Sequence, residues 1–171
     1  ERVMGYQLIE TVTVGSGGAA SIEFTGIPQD GVDLVLKLSL RMTDVYNYQA
    51  MIRFNNDSGT NYNYVQLNNN GTSVQTSAGA NQTSLQVGVP DNNSFTANTF
   101  GSLSLIIANY NSSSAKSISA DSVLENNGYN QMYLTAGNWN NSAAINSLKI
   151  YETQGSSWVQ YSTASLYKIT A

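Results

Sequence analysis

The residue types that most often carry out catalysis are scarce in this sequence of 171 residues. It contains neither histidine nor cysteine, so a Ser-His or Cys-His nucleophile pair cannot form. Two of its eleven acidic residues could in principle serve as the acid and base of a glycosidase. No motif distinguishes any of them, however, and most lie beside turns or on the polar faces of predicted strands: Glu23, Asp30, Asp33, Asp57 and Asp91. We predict that the protein is not an enzyme.

The acidic segment that begins at Asp57 resembles a calcium-binding loop only in part. Residues 57–61 read Asp-Ser-Gly-Thr-Asn, but a calcium loop has more early acids and a glutamate at its twelfth position, and residue 68 is Asn. Asp121 and Glu125 share one face of a predicted strand but lie about 13 Å apart at the rise of a strand, too far to share an ion. A zinc site would have to consist of carboxylates alone. We predict no metal and no cofactor.

Aromatic residues in predicted loops are the remaining candidates for binding. Tyr46 and Tyr48 lie in a polar segment at 43–49, and Trp139 lies at the tip of a predicted loop over 137–141. Exposed aromatic rings can stack on sugars while nearby Asn side chains bond sugar hydroxyls, so these three residues are candidate glycan or partner contacts. The alternative is that they form the rim of the core or a subunit contact, where Tyr and Trp are enriched.

Charge is sparse along the whole sequence. Seven basic and eleven acidic residues give a net charge of −4 and a pI near 4.5. The basic residues are not clustered, so we expect no nucleic-acid partner. No run approaches the roughly 20 apolar residues that cross a bilayer, and no secretory signal opens the sequence, so we also expect no membrane partner. Met4, preceded by Glu1-Arg2-Val3, is either an original start or part of a longer chain.

The opening of the chain predicts three half-buried strands that form an antiparallel sheet. Residues 33–42 alternate between Leu or Met and mostly polar residues, which places one face in a core and one in solvent. Residues 20–24 alternate in the same way. Residues 6–14 are less regular, because Glu10 falls on the apolar face and Ile9 falls off it. The glycine-rich segment 15–18 predicts a hairpin between the first two strands.

The rest of the chain continues with short strands and frequent turns, and no segment has a helical period. About ten strands in all, with turn signals every 8 to 15 residues, are typical of a sandwich or barrel. The details include a short edge strand at 73–76, a loop at 78–81, a pair formed by 117–125 and 129–136 across a turn at 126–128, and strands at 145–152, 158–163 and 165–169. We predict a single all-β domain over 1–171, an antiparallel β-sandwich of jelly-roll-like type, with a meander sandwich as the alternative.

A set of segments along nearly the whole chain carries a resemblance to known proteins. The segments occur in order: Tyr6–Phe24, Ile27-Pro28, Asp33–Ser39, Ala97–Phe100, Ile107–Tyr110, Ser122–Asn127 and Val159–Tyr167. They resemble a group of tailed-phage virion structural proteins of the aquatic, cyanophage type, and residues 44–90 match least.

The resemblance implies a jelly-roll-like virion protein on the exterior of the capsid. Decoration (cement) proteins of this kind bind the major capsid protein, often as homotrimers over the threefold points of the shell, and they stabilise the shell without catalysis. The resemblance equally implies the alternative of a receptor-binding or head or tail fibre module that binds host-surface glycans. The family has no catalytic motif, so no site residue is transferred from it.

Overall fold

Short strands fill the protein, as the alternating sequence predicts. The computed structural model describes residues 5–125 and 130–170. Within these ranges there is no helix, and there are twelve strands: β1 (Gly5–Thr13), β2 (Ser21–Thr25), β3 (Asp33–Leu40), β4 (Ala50–Phe54), β5 (Tyr62–Asn69), β6 (Val74–Gln82), β7 (Leu85–Gly88), β8 (Gly101–Ile107), β9 (Lys116–Glu125), β10 (Asn130–Trp139), β11 (Ser147–Glu152) and β12 (Thr163–Thr170).

Two antiparallel sheets form the sandwich. The larger sheet has the strand order β1-β12-β3-β8-β9-β10-β5-β6, and the smaller has the order β2-β11-β4-β7. The chain crosses repeatedly from one sheet to the other, so strands that follow each other in sequence often lie in different layers. The predicted antiparallel, jelly-roll-like β-sandwich is confirmed.

The core lies between the two sheets and consists of the alternating apolar residues of the sequence. Each fully buried Leu, Ile or Phe side chain contributes roughly 1.5–3 kcal/mol to stability. The predicted inward face of β3 is confirmed, and it packs with inward residues of the small sheet and of β8: Leu34, Leu36, Leu38, Leu40, Ile22, Phe24, Ile52, Phe54, Leu103, Leu105 and Ile107.

The four-stranded sheet covers only part of the eight-stranded sheet. Its edge strand β7 packs over β10, β9 and β5. Beyond β7, eight of the nine residues of β6 are exposed and the ninth is half-buried. The β6 strand therefore overhangs the sandwich, held to it through its pairing with β5.

The opening strands do not form the predicted hairpin or one consecutive sheet. β1 pairs with β12, whereas β2 pairs with β11 in the other sheet. A glycine turn closes at 15–18, where the Gly18 N–H donates to the Gly15 carbonyl, but it sends the chain across to the second layer. The irregular face of β1 has a simple cause, since a register shift between Leu8 and Glu10 lets Ile9 pack against the core.

Two predicted loops are strands in the structure. The predicted loop at 78–81 belongs to β6, whose small residues have weak strand preference but pair with β5. The predicted loop at 137–141 is wrong over 137–139, because β10 continues to residue 139, and only 140–141 lie outside the strand. Gly137 and Asn138 look like a turn in sequence, yet they pair with both β5 and β9. A side chain at Gly137 would lie 2.4 Å from Leu85 Cδ1, so glycine here permits close packing of β7.

The predicted strand at 158–163 is replaced by an irregular segment. Trp158 makes isolated bridges to Ala19 and Met42, and Tyr161 has a positive φ of 72°. In contrast, the predicted pairing of the ninth and tenth strands is confirmed. The turn predicted at 126–128 and the alternatives for Met4 lie outside the described residues.

Candidate interaction surface

Apolar side chains gather on the outer face of the large sheet, the face opposite the core. Paired residues of an antiparallel ladder point to the same side, so the register identifies them. Leu67 of β5 pairs with Leu134 of β10, and Val65 pairs with Ala136. Two residues along β10 from Leu134, Met132 pairs with Val123 of β9.

These side chains lie on the same outer side of the large sheet, and we call them the outer apolar face. Each of its residues leaves 43–62 % of its surface exposed. Together they present apolar surface on the order of 500 Å², the size of the largest and often functional patches on soluble monomers. The outer apolar face consists of Val65, Leu67, Val74, Ile106, Val123, Met132 and Leu134.

The polarity of β5 and β10 is inverted at one cross-strand position, although the aromatic residues of both strands face inward as in an ordinary half-buried sheet. Gln66 and Thr135 point inward as a cross-strand pair, and both are buried. The Gln66 amide donates a 2.9 Å hydrogen bond to Thr135 Oγ1, and the Gln49 amide donates to Gln66 Oε1. Polar groups are thus buried with hydrogen-bond partners while Leu67 and Leu134 face outward. Apolar side chains are usually buried and polar ones exposed, so this reversed arrangement is unusual.

The outer apolar face is also free of charge over its main strands. β5, β6 and β10 contain no Asp, Glu, Lys or Arg. Charge begins at Asp121 on β9 and Lys37 on β3, both exposed. The Lys37 ammonium donates a 2.6 Å hydrogen bond to Ser104 Oγ, and Ser104 pairs with Asp121. Asp121 itself pairs with Leu134, so the β9 side of the outer apolar face carries one charge.

A groove of about 620 Å³ runs along the outer apolar face. Its walls are side chains of β5, β6, β10 and β9, among them Leu67, Thr76, Ala78, Ser119 and Leu134. A concave, apolar and uncharged groove offers area and shape to a partner but no group that would activate a substrate.

The predicted contacts Tyr46 and Tyr48 lie together in the loop between β3 and β4. Their ring centroids are 5.7 Å apart, and Tyr46 is 63 % exposed while Tyr48 packs partly against the core. Asp44 Oδ1 accepts hydrogen bonds from the N–H groups of Val45 and Tyr46, which holds the loop in shape. Asn47 accepts a 2.6 Å hydrogen bond from the Asn92 amide. The loop therefore presents one exposed ring on a braced backbone.

Trp139 does not belong with this pair, because its indole is completely buried. It packs against Phe54 and Tyr62, with centroid distances of 5.6 and 6.4 Å. Trp139 is buried because β10 continues through residue 139, which directs the ring into the core rather than to a loop tip. A buried ring cannot stack on a sugar, so the loop contact predicted for Trp139 is wrong.

Asp57, considered above as a calcium ligand, instead organises the turn beside Trp139. Its carboxylate accepts hydrogen bonds from the Gly59 N–H, the Asn61 amide, the Trp139 indole and the Asn141 amide. Burial acts to raise the pKa of Asp57, but these hydrogen bonds outweigh it and hold the pKa below its ordinary value. The residue is a structural acceptor. In the part of the chain that the structure describes, no three Asp or Glu residues gather as a metal site would require.

A second buried polar centre lies at Lys116, at the start of β9. Its ammonium donates to four backbone carbonyls, those of Ser112, Ser114, Asn141 and Ala143, at 2.6–3.3 Å. It also lies 5.5 Å from the centre of the Trp139 ring. Burial lowers the pKa of Lys116. The side chain joins two loops at one end of the sandwich and is fully enclosed, so it has a structural role.

The outer apolar face and Tyr161 are the features that sequence patterns did not identify. Val65 and Leu67 alternate with polar residues, but alternation alone does not tell which face a second layer covers. Tyr161 is 67 % exposed and borders a small cleft with Arg41, whose guanidinium donates to backbone carbonyls of residues 95–99. Its positive φ had no sequence signal, since the position lies within the predicted strand at 158–163.

The fold and surface together define an all-β sandwich with exposed apolar side chains on the outer face of its larger sheet. No family model, curated protein or solved structure matches the chain. No helix among residues 5–125 and 130–170 is long and apolar enough to cross a membrane.

Proposed function

We propose that this protein is a structural protein of a tailed-phage virion that decorates the exterior of the capsid by binding the major capsid protein, without catalysis. The observation that carries the proposal is the inverted polarity of β5 and β10, which buries Gln66 and Thr135 and leaves Leu67 and Leu134 exposed. Such a face is a binding surface for another protein. The resemblance of the sequence to phage virion proteins supports the same role.

The physical requirements of decoration agree with the properties of this face. A stable protein contact removes about 800 Å² from each partner, and the outer apolar face would supply a large part of that area. We propose a homotrimer as the functional unit, because three faces that bind at once gain strength through avidity. The acidic remainder of the surface keeps a densely coated particle soluble.

Co-sedimentation tests this proposal. Purified protein is mixed separately with shells that lack it and with host cells. We expect saturable binding to shells at a fixed ratio to capsid subunits, and binding at least ten-fold weaker for Leu134→Asp, which places a charge in the groove. Thr11→Asp is the matched control, because Thr11 is exposed near the other end of the same sheet. Wild-type protein that fails to bind shells would overturn the proposal.

The Tyr46 and Tyr48 pair supports a second candidate function, a receptor-binding or fibre module that binds host-surface glycans. One exposed ring beside Asn47 on a braced loop is a suitable platform for a sugar. This candidate predicts binding to cells but not to shells, with loss of binding in Tyr46→Ala. Tyr6→Ala is the control, since Tyr6 is equally exposed on β1. Equal binding by Tyr46→Ala and wild type would exclude this site.

A further inference from the structure

The edges of the two sheets differ in how well they are protected against pairing with another chain. An unprotected edge strand offers unpaired N–H and C=O groups to a further strand. Among the described strands, β1 and β6 form the edges of the large sheet, and β2 and β7 those of the small sheet. Three of these four edge strands have features that prevent pairing with another chain.

The protected edges use irregularity, charge and shortness. β1 has a register shift between Leu8 and Glu10 and an exposed charge at Glu10. β2 has five residues with Glu23 at its centre, in an ion pair with Lys149. β7 has four residues, is mostly buried and is followed closely by Pro90.

The β6 edge has none of these protective features over most of its length. It has nine residues, neither charge nor proline, and eight of its residues are exposed. The register with β5 is regular from Val74 to Gly79, and the irregularity near Asn81 falls at the far end. Six consecutive residues are therefore open to a further strand.

We propose that β6 pairs with β6 of a second copy of this chain, antiparallel and across a two-fold axis at Thr76. A two-fold contact requires a patch that is complementary to itself. Because directly opposed residues share a face, an axis at Thr76 pairs this residue with its own counterpart, a favourable Thr–Thr pair. It also places Val74 opposite Ala78 and Gln75 opposite Ser77.

Charge identifies a second copy as the occupant. Two copies with a net charge of −4 repel each other through most of their surfaces, but no charged residue lies between Asp57 and Asp91, the stretch that contains β6. The groove lies over β5 and β10 rather than beyond the free edge, so it supplies no side-chain pockets to an added peptide. Pairing of identical uncharged strands needs no such pockets.

The two-fold axis stands perpendicular to the sheet, so both outer apolar faces of the pair point to the same side. The large sheet then continues across the contact. If this face binds a shell, a consequence that rests on the proposed function, the pair binds through two faces at once. A threefold contact would use a different surface.

Charge-swap variants test the β6 contact. We expect analytical ultracentrifugation to show a dimer, or a larger assembly if the threefold contact also forms. Thr76→Lys and Thr76→Glu each place like charges opposite each other and should raise the dissociation constant at least ten-fold, whereas an equal mixture of the two should reassociate. Gln7→Lys, an exposed position on the β1 edge, should behave as wild type. Equal melting temperatures of all variants show that the fold is intact.

A covalent test is independent of affinity. The chain has no cysteine, so Thr76→Cys should oxidise to a disulfide-linked dimer while Gln7→Cys stays monomeric in a denaturing gel. A wild type that is only monomeric or only trimeric would overturn the proposal. So would Thr76→Lys and Thr76→Glu variants that assemble to the same mass as wild type in the ultracentrifuge, or an equal mixture of the two that fails to reassociate. Wild-type protein that is monomeric but still sediments with shells would leave the proposed function standing.

Discussion

The indole Nε1–H of Trp139 donates a 2.8 Å hydrogen bond to Oδ2 of Asp57. The bond links the end of β10, in the large sheet, to the turn that follows β4, in the small sheet. Trp139 itself is fully enclosed between Phe54 and Tyr62. One side chain thus contributes both core packing and a polar link between the two layers.

Removal of this side chain should destabilise the fold. We expect Trp139→Ala to lower the free energy of unfolding by about 3–5 kcal/mol, because it leaves a cavity in the core. Tyr46→Ala, at an exposed ring, should change it by no more than about 0.5 kcal/mol. Urea denaturation followed by circular dichroism measures both. Equal stability of the two variants would show that Trp139 is not enclosed as described.

The carboxylate of Asp57 should make stability depend on pH. Its pKa is lower in the folded protein than in the unfolded chain, so the unfolded state binds more protons between the two values. The stabilisation is complete above the unfolded value of about 4 and is lost as the pH falls through the folded value. Wild type should therefore lose more stability than Asp57→Asn between about pH 5 and pH 2.

The comparison with Asp57→Asn isolates this residue from other acids. Hydrogen bonds from Lys149 and Lys168 lower the pKa of Glu23 and Asp30 respectively. Both residues are present in wild type and variant, so their effects cancel in the difference. Chemical denaturation at several pH values gives the two curves, and parallel curves would contradict the prediction.

The enclosed ammonium of Lys116 should be essential for stability. Lys116→Met keeps the length of the side chain but leaves four carbonyl oxygens without their donor, and each unsatisfied buried group costs about 1–3 kcal/mol. We expect a loss on the order of 3 kcal/mol after local relaxation. Lys149→Met removes a partly exposed ion pair with Glu23 and should cost less than about 1 kcal/mol. Thermal and urea unfolding would reveal the difference, and similar losses would argue against a special role for Lys116.

The outer apolar face should tolerate a polar substitution without loss of stability. Leu134 is 43 % exposed and its side chain points away from the core, so Leu134→Asp should change the free energy of unfolding by less than about 1 kcal/mol. Leu36→Asp buries an unpaired charge in the core and should prevent folding. Melting curves of both proteins check this contrast. A strongly destabilised Leu134→Asp would mean that this face belongs to the core.

Some features of the candidate sites were accessible from sequence, and others were not. The loop that carries Tyr46 and Tyr48 was predicted from its polar composition, and the structure confirms it as a loop. Trp139 was placed wrongly, because Gly137 and Asn138 resemble a turn when their pairing with β5 and β9 is unknown. The outer apolar face was missed, since the alternation of Val65 and Leu67 with polar neighbours is the same whether the apolar face points inward or outward.

The sequence by itself determined the class of fold and most strand positions. Alternation has a period of two residues and depends only on neighbours in the chain, so the inward leucines of β3 and the apolar positions of β2 were correct. Only the tertiary structure decided which strands pair and which faces are covered, because pairing joins residues that are distant in sequence. Four strands cannot cover eight, so β6 lies beyond the small sheet with eight of its nine residues exposed.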